Sequence, residues 1–315
     1  MRKIWNEEEM QFIRINIASM SIKEMAEHFN IIYEKMNDKI NKMGLNRKQA
    51  SGELWKKEDD EILANHFEYA PKNYLINIFP NRSWNAILQR GIKTLNLKRK
   101  SQDRYYINYK FFEEWNEDTA YIFGFIAADG HLIYERGQGN INALQFELAI
   151  CDREILDKIK EKMEYEGNVI ITKRETAKLQ MNNKKIIEDL IQKGIPKEKK
   201  TKTISYPNSL PDRLSQHFVR GIFDGDGSVY RDRSGLRIQL LGTKKLLEKI
   251  KSIMPVDTSN NSIYDRNRNG VDVCALQIAG KKSFEIFKWM YEDSSLFLER
   301  KHLKYNQIME ALEKK

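Results

Sequence analysis

The sequence predicts an α+β architecture: two small all-α helix-turn-helix modules, then a pseudo-two-fold pair of αββαββα units. Three observations point there. A pattern of about 45 residues occurs twice at the start of the chain. A nine-residue apolar motif ending in Asp-Gly occurs twice, 97 positions apart. Each motif is followed by runs of alternating polarity, the period of a half-buried strand. At 315 residues, 41% of them hydrophobic, the chain is long enough for about two domains of roughly 150 residues. No run nears the roughly 18 apolar residues of a spanning helix. Aromatic residues spread along the whole chain argue against wholesale disorder. Fifty-four Lys and Arg against 45 Asp and Glu leave +9, a balance that suits a polyanionic partner. Cys151 and Cys274 lack metal or redox spacing and read as small buried thiols in a reducing compartment. The acidic N-terminal stretch is unlike a signal peptide, so the expected location is cytoplasmic. The Lys-, Ile- and Asn-rich composition suggests a bacterial or phage-infected cell.

Residues 1–49 and 50–100 are the two helical modules. Trp5 and Trp55 match, and acidic residues follow each, suiting a helix N-terminus. Met10, Ile13 and Ile17, and Ile62 and Phe67 in the second copy, mark a first helix. Met25 and Phe29, and Leu75 and Phe79, mark a second. Ile32, Met36, Ile40 and Met43, and Trp84, Ile87, Leu88, Ile92 and Leu95, mark a third. Three short helices in this length are the size of a helix-turn-helix unit. The pattern resembles Myb/SANT-like modules, which implies a third helix in the DNA major groove. That resemblance directs Asn81, Arg82, Ser83, Asn85, Gln89, Arg90 and Lys93 toward DNA, with Lys98, Arg99 and Lys100 at the basic end. The matching stretch of the first module, Glu34 to Asn41, is less basic, although it ends in Arg47-Lys48. Residues 101–115, polar and aromatic without period, read as a linker lying on the next domain.

The longer repeat covers residues 116–206 and 207–315. Ile122 to Gly130 faces Val219 to Gly227. Leu179-Gln180-Met181 faces Leu276-Gln277-Ile278 at the same offset, and Leu156 and Ile159 face Leu247 and Ile250 at an offset of 91. Each copy reads helix, two strands, helix, two strands, helix. Leu144, Phe146 and Leu148 alternate with Gln145 and Glu147; Leu236, Ile238 and Leu240 do the same in the second copy. Val169 and Ile171, and Cys274, Leu276 and Ile278, mark the later strands.

Gly124 and Ala128 are four apart on one helix face, as are Gly221 and Gly225. Small residues at this spacing let two backbones approach closely. The two motif helices are therefore expected to pack together and set Asp129 beside Asp226. Paired carboxylates at helix C-termini oppose the dipole and repel each other, which a divalent cation relieves. Mg²⁺, a hard ion, takes such oxygen ligands and shares its shell with phosphate.

IFGFIAADG and VRGIFDGDG strongly resemble the LAGLIDADG motif of homing endonucleases, and the flanks KGIPKEKKTKTISYP and FLERKH look like its single-chain members. The resemblance covers about 105–315. It implies intron-mobility-type, Mg²⁺-dependent cleavage of both strands of double-stranded DNA at a long asymmetric site by a monomer, through two or more ions, with Mn²⁺ as a substitute. Asp129 and Asp226 would be catalytic and hold the metal. Gln180 and Gln277 occupy a strand position that lines the catalytic pocket in the family. Neither copy has Lys there, so Lys178, Lys184 and Lys281 stand as alternatives for the basic residue. Ala127 departs from the motif where Asp224 keeps it, at a position expected to be structural, and Arg220 replaces a small residue expected on an outer helix face. His131, Glu135, Gln145, Glu147, Arg174, Lys178, Tyr230, Asp232, Arg237 and Gln239 would form the DNA-facing saddle. The competing functions are an intron RNA maturase and a non-cutting DNA-binding regulator; retention of both aspartates favours cutting. An intein is not expected, since it would need a nucleophilic first residue and a His-Asn end where this sequence has Met1-Arg2 and Glu313-Lys314-Lys315.

Overall fold

The computed structural model describes residues 5–17, 20–45, 55–100, 103–134, 141–232, 235–266 and 273–313. Arg47, Lys48 and Glu135 lie outside the described residues, as does the side chain of Asp232. The chain forms two compact units, residues 1–104 and 105–315.

The first unit is all-α. Helices run over Glu7–Asn16, Ile22–His28 and Tyr33–Lys42, then Lys57–His66, Lys72–Ile78 and Trp84–Gln89. The starts follow capping chemistry. Asn6 and Glu9 form a reciprocal capping box, as do Ser21 and Glu24. Ile13, Ile17, Met25, Ala26, Met36 and Ile40 make the first core, with Trp5 and Phe29 packed on it. In the second module Leu63 is fully buried, whereas Ile62 is 39% exposed. Leu63 stands four residues before the buried Phe67 and so shares its face. The expected Ile92 contact also fails, because the third helix loosens into a π turn over Arg90–Thr94. Gly91 is needed there: a Cβ on it would lie 2.5 Å from the Phe67 ring.

The second unit begins earlier than the repeat pattern suggests. Tyr106, Ile107, Tyr109 and Phe112 are buried, and Ile107 and Phe112 belong to the large core. The Asn108 N–H donates to the Met163 carbonyl (2.9 Å), and the Glu166 N–H to that of Tyr106 (3.0 Å). From residue 105 the expected linker lies on the second unit and adds side chains to its core. Its aromatic residues have no period because they fill gaps between elements rather than face one surface.

Each repeat has the expected order of elements. The first motif helix, Glu117–Asp129, leads to β1 (His131–Tyr134) and β2 (Ile141–Ala149), a helix Arg153–Lys162, β3 (Ile170–Ile171), β4 (Thr176–Met181) and a helix Lys184–Lys193. The second motif helix, Ser215–Asp226, leads to β5 (Ser228–Asp232), β6 (Gly235–Gly242), a helix Lys244–Ile253, β7 (Ile263–Asp265), β8 (Cys274–Ala279) and helices Lys281–Tyr291 and Glu299–Glu313. The antiparallel sheets have matching orders, β1-β2-β4-β3 and β5-β6-β8-β7. Leu144, Phe146, Leu179 and Met181 turn to the core, as do Leu236, Ile238, Leu240, Leu276 and Ile278. Successive strand residues alternate faces, so the intervening polar residues share the opposite one.

The motif helices cross at contact distance. A Cβ on Gly124 would lie 2.2 Å from the Phe218 carbonyl oxygen, and one on Gly221 2.2 Å from that of Tyr121. A Cβ on Gly225 would lie 2.3 Å from the Ala128 methyl. Only glycine permits that approach. The repeats are also clasped at their rim, where Arg300 pairs with Asp152 (2.9 Å) and Lys158 with Glu299 (3.6 Å).

Candidate active site

Asp129 and Asp226 end the two motif helices. Gly130 and Gly227 stop the helices with ordinary extended dihedrals, φ −74° and −92°. Their need for glycine is steric: added Cβ atoms would lie 2.8 Å from the Ile126 carbonyl oxygen and 2.3 Å from the Phe223 ring. The helix pairing brings the carboxylates into one electrostatic site. Burial pushes the Asp226 carboxyl up to about 6, Asp129 adds to the rise, and Lys200 and Lys301 oppose it. Burial also raises Asp129, against Lys200, Lys301 and His131.

The two lysines are a feature that motif reading missed. Lys200 Nζ donates to the carbonyls of Ile126 (2.9 Å), Ala128 (2.6 Å) and Gly130 (2.5 Å). Lys301 Nζ donates to those of Phe223, Asp224 (2.8 Å) and Gly227 (2.7 Å). An ammonium has three donors, so each lysine saturates itself on the orphan carbonyls of one motif helix. A cation there also favours the negative end of the helix dipole. Burial pulls both down to about 8, while the aspartates hold them up. The available sequence signal was position: each lysine lies in a flank already set apart, KGIPKEKKTKTISYP and FLERKH. Lys178, Lys184 and Lys281 are not the residues that meet the aspartates in this way. Lys184 instead pairs with Glu188 (3.8 Å).

Asp224 stands where the first repeat has Ala127, and it is fully buried. Its carboxylate accepts from Tyr121 Oη (2.8 Å), from Tyr291 Oη and from the Leu298 N–H (2.8 Å). Arg220 corrects an expectation. It is 2% exposed rather than outward-facing, donating to the carbonyls of Leu296 (3.0 Å) and Met290 (2.8 Å), with His217 Nδ1 at 3.1 Å. This network fastens residues 290–298 to the second motif helix and so sets Lys301 in place.

The donor set fits a hard divalent ion that keeps an open shell. Asp129 and Asp226 offer carboxylate oxygens, while lysines take the neighbouring carbonyls. Among the described residues no group of three or more His, Cys, Asp or Glu side chains could hold a metal. Two carboxylates leave coordination positions for water and phosphate, which is how Mg²⁺ is usually held.

Of the expected DNA-facing residues, Gln145 pairs in register with Gln180, and Gln239 with Gln277. His131 and Ser228 stand next to the respective first partners, and Tyr230 pairs with Arg237. Glu147 accepts from Arg174 (3.0 Å) and Thr176 (2.7 Å), and Lys178 is its register partner. Cys274 is buried as expected, but Cys151 is exposed.

In the first unit, several expected DNA contacts have structural partners. Ser83 caps its helix through the Ala86 N–H (3.2 Å). Arg90 makes a bidentate pair with Asp60 (2.8 and 2.7 Å) and lies over Trp55, as does Arg82. Arg99 donates to the Phe67 carbonyl and stacks on Phe67 and Trp84. Lys100 binds Glu68 and Tyr69, which raise it. Asn85, Gln89, Lys93 and Lys98 remain exposed.

No family model matches the chain, and no curated protein matches it. Among solved structures, the LAGLIDADG meganuclease I-AabMI bound to uncleaved DNA is 14% identical, covering 64% of this chain and 92% of its own, with a TM-score of 0.44. I-DmoI in complex with DNA and Ca is 15% identical, covering 64% and 99%, with a TM-score of 0.42. Full-length DUF199/WhiA from Thermatoga maritima is 15% identical, covering 66% and 65%, with a TM-score of 0.40. At this level of likeness, the fold assignment rests on this chain's own helix pairing and sheet order.

Proposed function

We propose that residues 105–315 are a metal-dependent, site-specific endonuclease of the LAGLIDADG homing type, acting as a monomer on both strands of duplex DNA. The observation that carries this reading is the pairing of Asp129 and Asp226 at the ends of two glycine-packed helices, each end neutralised by its own lysine. Two polar sheet faces on a single chain suit the two halves of an asymmetric duplex site. The retained pair of aspartates favours cutting over the maturase or regulator reading.

Asp129 and Asp226 would hold Mg²⁺, with Mn²⁺ as a substitute. When bound, the metal supplies an activated water and stabilises the leaving oxygen. Lys200 and Lys301 hold the two helix ends rigid and offset carboxylate repulsion in the metal-free protein. With all three protons of each committed, they act as positioning residues rather than phosphate ligands. Gln180 and Gln277 offer amides beside the cleavage region. Lys93 and Lys98 of the second helical module are the cations best placed for phosphate contacts, and residues 1–100 are proposed to bind DNA without cutting it.

The test uses plasmids with randomised inserts and Mg²⁺. Linearised plasmid is expected with the wild-type chain and none in EDTA. Asp129→Asn and Asp226→Asn should each lower cleavage at least about 100-fold with DNA binding kept, the scale of losing an engaged catalytic group. Near wild-type cutting by either variant overturns the active site. Tight binding with no cutting by the unmodified chain gives the regulator reading instead.

A further inference from the structure

The two sheets carry the same glutamine pair and surround it differently. Gln145 faces Gln180 in the first, and Gln239 faces Gln277 in the second. Register identifies the flanking positions. On one edge strand, β1 or β5, Ile133 lies two residues after the partner of Gln145, and Tyr230 two residues after the partner of Gln239. On the other edge strand, β3 or β7, Ile170 pairs two residues before Gln180, and Tyr264 two residues before Gln277. Two isoleucines in one repeat thus correspond to two tyrosines in the other.

The tyrosines complete a directional chain. Arg266 Nη1 donates to Gln239 Oε1 (3.1 Å), and Gln239 Nε2 to Tyr264 Oη (2.8 Å). Tyr264 Oη donates to Gln277 Oε1 (3.0 Å), and Gln277 Nε2 to Tyr230 Oη (3.0 Å). A guanidinium has donors and no acceptor, so Arg266 fixes which way the Gln239 amide faces. Each later link inherits that polarity, and chained hydrogen bonds reinforce one another. At the end, Tyr230 Oη accepts from Gln277, which leaves its single proton to donate. Tyr230 is 39% exposed, and among the described residues no acceptor takes that proton. Among the described residues of the first sheet, Gln180 Nε2 reaches only Asn182 Oδ1, at 3.4 Å, and no such chain forms.

We infer that Tyr230 is a specificity-determining hydrogen-bond donor and that Tyr264 is its positioning residue. Tyr230 requires an acceptor on a base edge, such as a purine N7 or a carbonyl oxygen, at one position of the half-site facing the second sheet. The first sheet reads its half without a fixed polarity. This rests on the reading that the sheet faces take duplex DNA.

The experiment selects bound sequences from a random-sequence duplex pool with the full chain in EDTA. It compares wild type, Tyr230→Phe, Tyr264→Phe and the double variant. Wild type is expected to enrich a site with a strong preference at one or two adjacent base pairs of one half. Tyr230→Phe should relax that preference by about tenfold, the scale of one directional hydrogen bond. Tyr264→Phe should relax the same position, and the double variant no further than either alone, since both act on one contact. Preferences elsewhere should be unchanged, and Tyr230→Phe, at an exposed hydroxyl, should leave the melting temperature unchanged. A Tyr230→Phe motif identical to wild type overturns the inference and makes Tyr230 a phosphate contact, which positions without specifying. Relaxation scattered over the site by Tyr264→Phe overturns its positioning role. If wild type retains no duplex at all, the DNA-binding reading falls, and this inference with it.

Discussion

Asp226 illustrates how one residue couples chemistry to stability. Its folded carboxyl titrates near 6, above the ordinary value of 3.8. Between those values the folded state binds more protons than the unfolded chain, so this group lowers stability as pH rises from about 4 to 6, and the penalty persists above. Asp226→Asn should therefore raise the melting temperature of metal-free protein at pH 8 and leave it nearly unchanged at pH 4; thermal melts in EDTA check this. An unchanged difference across that range would count against the shared carboxylate site. Lys301 tests the opposite kind of role. It is 4% exposed, and its removal strands three carbonyls. Lys301→Met should cost about 3 kcal/mol or more in urea unfolding, the scale for breaking a buried charged contact.

At the scale of elements, the axis of the large unit depends on two helices that touch backbone to backbone. Gly→Ala in an exposed helix interior usually stabilises by about 1 kcal/mol. At Gly124 and Gly221 the sign should reverse, because the added methyl meets a carbonyl oxygen at 2.2 Å in each case. Overpacking of this kind typically costs about 1–3 kcal/mol. Gly221→Ala should lower stability by that amount in denaturant melts and reduce cleavage by displacing Asp226 from Asp129. A neutral or stabilising outcome would mean that the helices separate more easily than their contacts indicate. Sheet elements behave differently, since their polar faces tolerate exchange while the Leu- and Ile-rich faces hold the core.

For the whole molecule, the boundary between the units decides which fragments survive. A chain starting at Tyr105 should fold and cleave when abundant, whereas one starting at Asn116 should not fold, because Ile107 and Phe112 leave the core. Circular dichroism melts of the two fragments separate these outcomes. Removal of residues 1–104 should also weaken DNA binding and make its salt dependence shallower, by about 0.9 in log–log slope for each phosphate that is no longer neutralised. An unchanged slope would assign the helical modules to protein contact. Much of this organisation was legible in the sequence. Local periodicity, caps and the repeated motif mark the helices, the strand faces and the two helix-ending aspartates, because each is written in residues a few positions apart. Sequence by itself also determined that there are two copies of the longer repeat. Only the tertiary structure decided which lysines stand at those helix ends, since Lys200 and Lys301 reach carbonyls 70 to 78 residues away. It likewise drew Ile107 and Phe112 into the core, buried Arg220, and joined Arg266 to Tyr230 through amides on neighbouring strands. Contacts between distant segments leave no period in the chain; they exist only once the helices and sheets have packed and brought donors to acceptors.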